Sequence, residues 1–142
     1  MLQRVDKASV EVDGRLIGSI GNGMLLLVGA DQGDSLGRAD TLADKCLGMR
    51  IFEDEQGKMN RSIKDVNGSI LVVSQFTLSA DLSKGRRPSF TGAMEPDSAE
   101  KLFDYFVEKL KISKLDVQTG KFGAKMKVKL CNDGPVTFVL EG

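Results

Sequence analysis

Two short, uninterrupted apolar runs place the firmest limit on how this chain of 142 residues can fold. Residues 24–28 read Met-Leu-Leu-Leu-Val and residues 70–73 read Ile-Leu-Val-Val, with no polar residue inside either run. Short apolar runs bounded by turn-forming residues are typical of strands that are buried on both faces. The sequence therefore predicts two fully buried strands at the centre of a sheet.

Further elements are predicted around these two strands. Residues 8–20 have the pattern of a hairpin, because Asp13-Gly14 supplies the positive φ angles that a tight turn requires. Apolar spacing predicts a helix over residues 35–47, capped by Asp34, and a second one over residues 96–111. Lys125, Lys127 and Lys129 alternate with apolar residues, which predicts a half-buried strand, and residues 136–140 form the last strand.

Strands outnumber helices, and most of the predicted connections are hairpins or meanders. We predict one domain over residues 1–142, of the mixed α/β class, with a largely antiparallel sheet and two main helices. No apolar run is long enough to span a membrane, and the start lacks the features of a signal peptide. Cys46 and Cys131 lie in apolar surroundings and are expected to be buried free thiols, which fits the cytoplasm.

The composition excludes several kinds of site. The chain has no histidine, which rules out Ser-His-Asp and Cys-His catalysis and histidine-ligated zinc. Two separated cysteines make a poor metal site, so we expect no metal and no cofactor. Proton transfer would rely on carboxylates, lysines, backbone, water or the substrate. A net charge of zero argues against electrostatic binding of long nucleic acid by the whole domain, but it allows a local basic patch that binds a short RNA end.

Polar side chains surround one aromatic where the second buried strand ends, at Ser74-Gln75-Phe76-Thr77. Polar groups at the end of a rigid strand are well placed to act on a ligand. The same pattern also fits a strand end whose side chains bond the loop backbone, and the pattern alone favours this second interpretation.

Three other segments admit a functional interpretation beside a structural one. The sequence Lys84-Gly85-Arg86-Arg87-Pro88-Ser89-Phe90 fits either a phosphate-binding loop or a solvated surface loop. In Gly57-Lys58-Met59-Asn60, Met59 is either part of a pocket wall or a core methionine beside a hairpin turn. The sequence Asn132-Asp133-Gly134-Pro135-Val136-Thr137 has the composition of a turn between two strands, and by itself the pattern favours a trans bond before Pro135.

Taken together, these segments resemble the D-aminoacyl-tRNA deacylase family. That family carries a Ser-Gln-x-x motif and a Gly-Pro motif in cis, which here read Ser74-Gln75-Phe76-Thr77 and Gly134-Pro135. The resemblance covers essentially the whole chain in order, with further matches at Gln3-Arg4-Val5, Arg50-Ile51-Phe52, Gly57-Lys58-Met59-Asn60, Arg87-Pro88-Ser89-Phe90 and Asn132-Asp133. The departures are an abbreviated start and Glu95 before Pro96, where a better capping residue is expected.

The resemblance implies a fold, a substrate and roles for individual residues. The fold is that of the D-aminoacyl-tRNA deacylases, and the substrate is the 3′ end of D-aminoacyl-tRNA. Backbone N–H groups around Phe76 and Thr77 are expected to hold the developing oxyanion. The Thr77 hydroxyl acts as nucleophile or as positioning group, and Gln75 and Ser74 orient it. The 2′-hydroxyl of the terminal ribose assists the attack, which explains why no base is needed.

The resemblance also implies a homodimer in which each subunit completes the site of the other. Gly134 and Pro135 are expected to reach into the partner's site, where their carbonyls collide with an L side chain but not with a D side chain. Glycine has no side chain that could collide with these carbonyls, so glycyl-tRNA is a further expected substrate. Met59, Arg87 and Phe90 are expected to contact the substrate.

Two competing hypotheses remain from the sequence. The same loop and pocket fit a non-catalytic module that binds an RNA 3′ end. A small-ester hydrolase with Thr77 or a serine as nucleophile is the other, although the absence of histidine weighs against it.

Overall fold

The computed structural model describes all residues from 1 to 142. It has two helices, a 3₁₀ turn over Phe76–Ser79 and eight strands. In chain order the elements are β1 (Leu2–Val12), β2 (Arg15–Ile20), β3 (Gly23–Val28), α1 (Leu36–Gly48), β4 (Phe52–Glu53), β5 (Met59–Arg61), β6 (Ser69–Ser74), α2 (Pro96–Lys111), β7 (Val117–Thr119) and β8 (Lys127–Phe138). The predicted mixed α/β class with two main helices is confirmed.

The main sheet has six strands and is built around β1. On one edge, β1 pairs antiparallel with β2 through one half and with β3 through the other half. On its opposite edge, β1 pairs antiparallel with β8 along most of its length. Beyond β3, the parallel strands β6 and β7 follow. The predicted hairpin is confirmed, with Asp13 and Gly14 at φ angles of 50° and 75° in its turn.

Met24, Leu25 and Leu26 and the whole run over residues 70–73 are buried, as the sequence predicts, whereas Leu27 and Val28 at the end of the first run are only half-buried. Met24 and Leu26 of β3 face the layer of helices, together with Ile70 and Val72 of β6. The alternate residues Leu25, Leu71 and Val73 face the other side, where they pack with Val5, Ala8, Val10 and Ile20. Strands that carry apolar side chains on both faces need apolar packing on each side, and here each face packs into its own hydrophobic cluster.

Helix boundaries follow the sequence closely, but both N-terminal caps differ from expectation. Ser35 rather than Asp34 caps α1, and its side chain accepts from the backbone N–H of Arg38. Asp34 instead accepts from the N–H of Asp31 and pairs with Arg38. Glu95 is an effective cap of α2, because its carboxylate accepts from the N–H groups of Asp97 and Ser98. These backbone hydrogen bonds, the one from Asp97 first, lower the pKa of Glu95.

The segment 132–135 is not a turn between two strands, which corrects the expectation from its composition. Residues on both sides of it belong to β8 and pair with the same strand, with Val5 opposite Asn132 and Gln3 opposite Thr137. Only Arg4 of β1 lies between these two pairs, so the four residues 133–136 of β8 bulge out opposite a single residue. We call residues 133–136 the Gly-Pro bulge.

The cysteines differ from each other. Cys46 is buried and Cys131 is exposed, so the expectation of two buried thiols is wrong for Cys131. Cys131 lies on the exposed side of β8, where its thiol is 3.9 Å from a carboxylate oxygen of Asp6. No helix of the chain has the combination of length and hydropathy that crossing a membrane requires.

Candidate active site

The polar segment after β6 is fixed by the parallel pairing of β3 with β6. Ser74 is the last residue of β6 and lies opposite Val28, the last residue of β3. The pairing continues one step further, because the N–H of Gln75 donates to the carbonyl of Val28 at 2.8 Å. The chain then turns into the 3₁₀ turn of Phe76–Ser79. This turn therefore begins at the end of a buried ladder, as expected for a rigidly held site.

The 3₁₀ turn presents backbone donors and one hydroxyl to solvent. The side-chain amide of Gln75 donates to the Thr77 hydroxyl, and both side chains are accessible. The first N–H groups of a helix have no partner inside the helix. The turn and loop hydrogen bonds of the backbone include none from the N–H of Phe76 or Thr77. The arrangement offers two neighbouring donors for a developing negative charge.

A cavity of about 430 Å³ opens beside Ser74 and Phe76 and extends between the sheet and the two helices. Most of its lining is apolar, and Phe103 and Phe106 of α2 contribute to it. Cys46 also lines the cavity, but burial raises the pKa of its thiol to about 11. A thiol with that pKa is protonated at neutral pH, so Cys46 does not supply a nucleophile there.

The loop that follows the 3₁₀ turn brings Phe90 onto Phe76. Their ring centroids are 5.0 Å apart with an angle of 59° between the planes. Phe76 is 60% exposed and Phe90 37%, so the pair forms an aromatic surface at the entrance of the site. The same loop carries Lys84, Arg86 and Arg87, which are exposed and form no ion pair within the chain. The structure thus brings the aromatic part of this loop to the turn, while the basic residues lie in the stretch between Asp81 and Ser89, which pair with each other.

The Gly-Pro bulge has a backbone that few residues other than glycine adopt. Gly134 has a φ of 128°, and the bond between Gly134 and Pro135 is cis, as the resemblance implies. A Cβ added at Gly134 would lie 2.8 Å from Cγ2 of Val136 and 3.3 Å from a guanidinium nitrogen of Arg4. Both residues of the Gly-Pro pair are exposed. The bulge is therefore a tightly packed backbone feature that faces outward.

A buried arginine holds this bulge in place. Arg4 is 4% exposed, and its Nε donates to the carbonyl of Asp133 at 3.1 Å and lies 3.2 Å from the carboxylate of the same residue. Its Nη1 donates to the carbonyl of Ile51 at 2.6 Å, and its Nη2 is 3.7 Å from Glu53. One side chain thus ties the bulge to the segment that leads into β4.

Met59 lies in β5 and is 52% exposed, so it is not a core methionine. The small β4–β5 sheet that carries it pairs Met59 with Glu53, which contacts Arg4. A polar cleft of about 550 Å³ lies nearby, lined in part by Glu53, Asp133 and Asp6. Within one chain the structure groups Met59 with the Gly-Pro bulge and not with Ser74–Thr77.

The two groups of predicted site residues are far apart in a single chain. Asn132 lies opposite Val5, Val5 opposite Gly23, and Gly23 opposite Ser69 at the start of β6. Three strand spacings of about 4.8 Å therefore separate β8 from β6, and five residues of about 3.3 Å each separate Ser69 from Ser74. The Gly-Pro bulge lies roughly 20 Å from the end of β6, too far to contact a ligand held there.

Sequence reasoning missed the structural role of Arg4. The signal was available, because Arg4 lies between the buried residues Leu2 and Val5 of one strand. A charged residue inside such a strand is buried only when its donors are satisfied. The carbonyls that satisfy it come from residues 47 and 129 positions away, and the sequence does not indicate this pairing.

No group of three or more histidine, cysteine, aspartate or glutamate side chains is arranged to hold a metal ion. Ser74, Gln75, Phe76 and Thr77 are themselves neutral, whereas four charged residues line the cavity beside them: Asp31, Asp34, Arg38 and Glu141. What the site offers chemically is backbone N–H groups, a hydroxyl and an aromatic surface beside an apolar cavity.

Comparison with known proteins shows the family of the chain. Residues 1–141 match the family model described as D-Tyr-tRNA(Tyr) deacylase. The D-aminoacyl-tRNA deacylase of Aeromonas hydrophila subsp. hydrophila is 53% identical over 141 residues, which cover 99% of this chain and 97% of the relative. The enzyme of the same name from Thermomicrobium roseum is 59% identical, covering 99% of this chain and 92% of the relative.

Two solved structures are also similar. The c-Myc DNA unwinding element binding protein has a TM-score of 0.93 at 42% identity, over 99% of this chain and 96% of the other. A structure described as a probable eukaryotic D-amino acid tRNA deacylase has a TM-score of 0.79 at 18% identity, over 94% and 93%, and shows the fold alone. The match of the family model to residues 1–141, with these relatives, places the chain in the D-Tyr-tRNA(Tyr) deacylase family.

Proposed function

We propose that the protein hydrolyses the ester bond of D-aminoacyl-tRNA in the cytoplasm, releasing the free D-amino acid and tRNA. Family membership supports this reaction. The main observation that supports an active site at the end of β6 is the 3₁₀ turn that begins there. Its free N–H groups suit an ester carbonyl, which develops negative charge when water attacks. The reaction requires neither histidine nor a cofactor, since an aminoacyl ester is already activated.

In this mechanism the N–H groups of Phe76 and Thr77 stabilise the oxyanion of the tetrahedral intermediate. Gln75 donates to the Thr77 hydroxyl and thereby fixes its direction, while Ser74 anchors the turn to the ladder. The hydroxyl positions the acyl group or the attacking water. The vicinal 2′-hydroxyl of the terminal ribose takes part in the proton transfer, since the turn itself contains no titratable side chain.

The active unit in this proposal is a homodimer. Within one chain the Gly-Pro bulge lies roughly 20 Å from the 3₁₀ turn, so the two can serve one substrate only if they come from different chains. Both features are exposed, which leaves them free to meet in a dimer. A two-fold arrangement would create two identical composite sites, because each chain supplies one turn and one bulge.

The bulge provides the selection for D-amino acids. The two enantiomers carry the same groups and differ only in direction, so a rigid backbone discriminates between them better than a mobile side chain. The carbonyls of Gly134 and Pro135 would flank the substrate Cα and collide with an L side chain. Glycyl-tRNA has no side chain to reject and is a further expected substrate. Met59 lies opposite Glu53, which contacts the Arg4 side chain that holds the bulge, and would contribute an apolar contact.

The 3′ end of the tRNA would be held by the loop after the turn. The exposed Phe76 and Phe90 rings offer a surface on which a base can stack. Arg87, exposed and unpaired within the chain, would contact a backbone phosphate of the acceptor end. These contacts bring the terminal ribose and its ester to the turn.

The competing candidate is a nucleic-acid-binding module without catalysis. The name of the 42% identical c-Myc DNA unwinding element binding protein is the observation that favours it. Turnover separates the two candidates: catalytic amounts of protein should release many equivalents of D-amino acid from labelled D-aminoacyl-tRNA. The same release is expected after exhaustive treatment with EDTA. Binding without release would support the module, and cleavage of simple esters alone would support a general esterase.

The composite site is tested by mixing two variants that each have strongly reduced activity. One variant carries Gly134→Ala in the bulge, and the other carries Phe76→Pro, which removes a backbone N–H from the turn. Co-refolding the two should restore activity, because half of the heterodimers' sites are then built from intact parts. Each variant refolded alone serves as the control. Failure of the mixture to recover activity, with heterodimers demonstrated by mass spectrometry, would contradict a site shared between chains.

A further inference from the structure

We infer that Gly29 is a positioning residue for the 3₁₀ turn, which stays at its catalytic distance only because this position has no side chain. This inference rests on the proposed function of the turn. Gly29 follows β3 directly and lies beside the end of β6. Gly29 lines the cavity beside Ser74 and Phe76, but a Cβ added to it would point at the turn, so its effect on the reaction would be transmitted through the turn.

The space around Gly29 is filled by the turn itself. A Cβ added there would lie 3.0 Å from the carbonyl oxygen of Gln75, 3.3 Å from Cβ of Leu78 and 3.5 Å from Oγ of Ser79. The three contacts come from the residue before the turn and from its last two residues. The nearest atom belongs to the backbone, which cannot rotate away as a side-chain tip can. A methyl group at residue 29 would therefore displace the turn by a few tenths of an ångström.

The same segment also holds the neighbouring aromatic loop. The carbonyl of Ala30 accepts from the N–H of Met94 at 2.9 Å, and the N–H of Gln32 donates to the carbonyl of Gly92 at 2.9 Å. The side-chain amide of Gln32 donates to the carbonyl of Thr91 at 2.8 Å. Residues 29–32 thus lie between the turn that carries Phe76 and the loop that carries Phe90. Gly29 is the residue of this segment whose missing side chain leaves room for the turn.

Such a displacement affects catalysis more than stability. Oxyanion donors work within a narrow range of distances from the position where the charge develops. A misplacement of one ångström costs on the order of a hundredfold in rate, so a few tenths should cost about tenfold or less. Substrate binding depends on the wider loop and is less sensitive. We therefore expect the loss in kcat and little change in KM.

Two other glycines provide matched controls. Gly21, in the link between β2 and β3, has no atom within 4 Å of an added Cβ, so Gly21→Ala measures the general effect of replacing a glycine. Gly18 is tightly packed away from the turn, with an added Cβ 2.8 Å from the carbonyl oxygen of Thr119. Gly18→Ala therefore measures the effect of crowding elsewhere in the sheet. All three variants are compared with the unmodified full chain.

The experiment measures kcat and KM on D-aminoacyl-tRNA, Tm, and the backbone amide chemical shifts of Phe76 and Thr77. For Gly29→Ala we expect kcat to fall about tenfold with KM changed less than about twofold. Gly29→Val should lower kcat further. The amide shifts of Phe76 and Thr77 should move in the Gly29 variants and stay unchanged in Gly18→Ala and Gly21→Ala. Gly18→Ala should lower Tm while retaining the kcat of the folded enzyme.

Several results would overturn the inference. Unchanged kcat in Gly29→Ala would do so, as would a loss of kcat in Gly18→Ala equal to that in Gly29→Ala. The amide shifts keep this failure distinct from a failure of the proposed function. If the unmodified protein releases no D-amino acid, the proposed function fails, whereas the positioning inference is still decided by whether the amides of Phe76 and Thr77 move.

Discussion

The 3₁₀ turn after β6 and the Gly-Pro bulge of β8 are held in different ways. The turn continues a parallel ladder of buried strands, and its first hydrogen bond, from Gln75 to Val28, belongs to that ladder. The bulge interrupts a ladder, and its position depends on the single side chain of Arg4. A feature supported by a whole ladder tolerates side-chain changes, whereas a feature held by one residue does not. Substitutions at the two places should differ accordingly.

The largest effect is expected from Gly134→Ala. A Cβ at this position would collide with Val136 and crowd Arg4, and the φ of 128° is strained for any residue with a side chain. We expect kcat/KM on D-aminoacyl-tRNA to fall by on the order of a hundredfold, since misplacement by about 1 Å has effects of this size. The ratio of D- to L-aminoacyl-tRNA hydrolysis should fall as well.

Gly123→Ala is the matched control for this substitution. Gly123 also has a positive φ, of 73°, but an added Cβ meets nothing within 4 Å. Its replacement therefore carries the cost of a positive φ without the collision, and that cost is smaller at 73°, near the left-handed helical region, than at 128°. Activity close to that of the unmodified protein is expected for Gly123→Ala. Equal losses in the two variants would mean that strain alone, and not the packing of the bulge, causes the effect.

The next largest effect is expected from substitutions of Arg4. Arg4→Met leaves the carbonyls of Ile51 and Asp133 without their donor, which should cost about 3 kcal/mol of unfolding free energy. Arg4→Lys retains the charge but cannot reach both carbonyls in the fork geometry of arginine. For Arg4→Lys we expect about a tenfold loss in kcat/KM, as a slightly displaced bulge would produce. Urea denaturation and steady-state kinetics measure the two effects.

Arg38→Lys is a suitable comparison, because Arg38 is exposed and pairs only with Asp34. Exposed ion pairs contribute little to stability, so this variant should behave like the unmodified protein. A wild-type D/L ratio in Arg4→Lys would contradict the idea that Arg4 positions the bulge.

The contrast between the two regions also explains what the sequence could predict. Residues 24–28 and 70–73 are local patterns, and a continuous apolar run indicates a buried strand wherever it occurs. The apolar spacing over residues 96–111 is also a local pattern, and it predicts the bounds of α2 to the residue. The end of β6 at Ser74 follows directly from where its apolar run stops.

The Gly-Pro bulge could not be predicted from local pattern. Glycine and proline indicate a break in regular structure, but a turn and a bulge use the same residues. The difference lies in whether the chain pairs with the same strand again, and here that strand is β1, more than a hundred residues earlier. The exposure of Cys131 has the same origin, because it depends on which side of β8 is covered.

Thr77→Ala should have a smaller effect than Gly134→Ala or the substitutions of Arg4. The oxyanion donors in the proposal are backbone N–H groups, which this substitution leaves in place. We expect kcat to fall by less than about tenfold, the range for loss of a positioning contact rather than of a nucleophile. A 2′-deoxy terminal ribose in the tRNA should be more damaging. Complete loss of turnover in Thr77→Ala, with an acyl-enzyme trapped in the unmodified protein, would instead identify Thr77 as the nucleophile.

The smallest effect is expected from the basic residues of the loop after the 3₁₀ turn, which make no ion pair within the chain. Replacing Arg86 and Arg87 with alanine should weaken tRNA binding a few-fold at moderate salt while leaving kcat unchanged, because phosphate contacts bring the substrate to the site without touching the ester. Each phosphate contact releases about one counterion, so the slope of log Kd against log salt should fall by roughly one or two units. Lys45→Ala and Lys111→Ala, on the exposed ends of α1 and α2, remove the same number of charges elsewhere. An equal change in slope for the two lysine variants would show that overall charge, and not the loop, sets the salt dependence. An unchanged slope in the arginine variant would show that the loop does not contact tRNA phosphates.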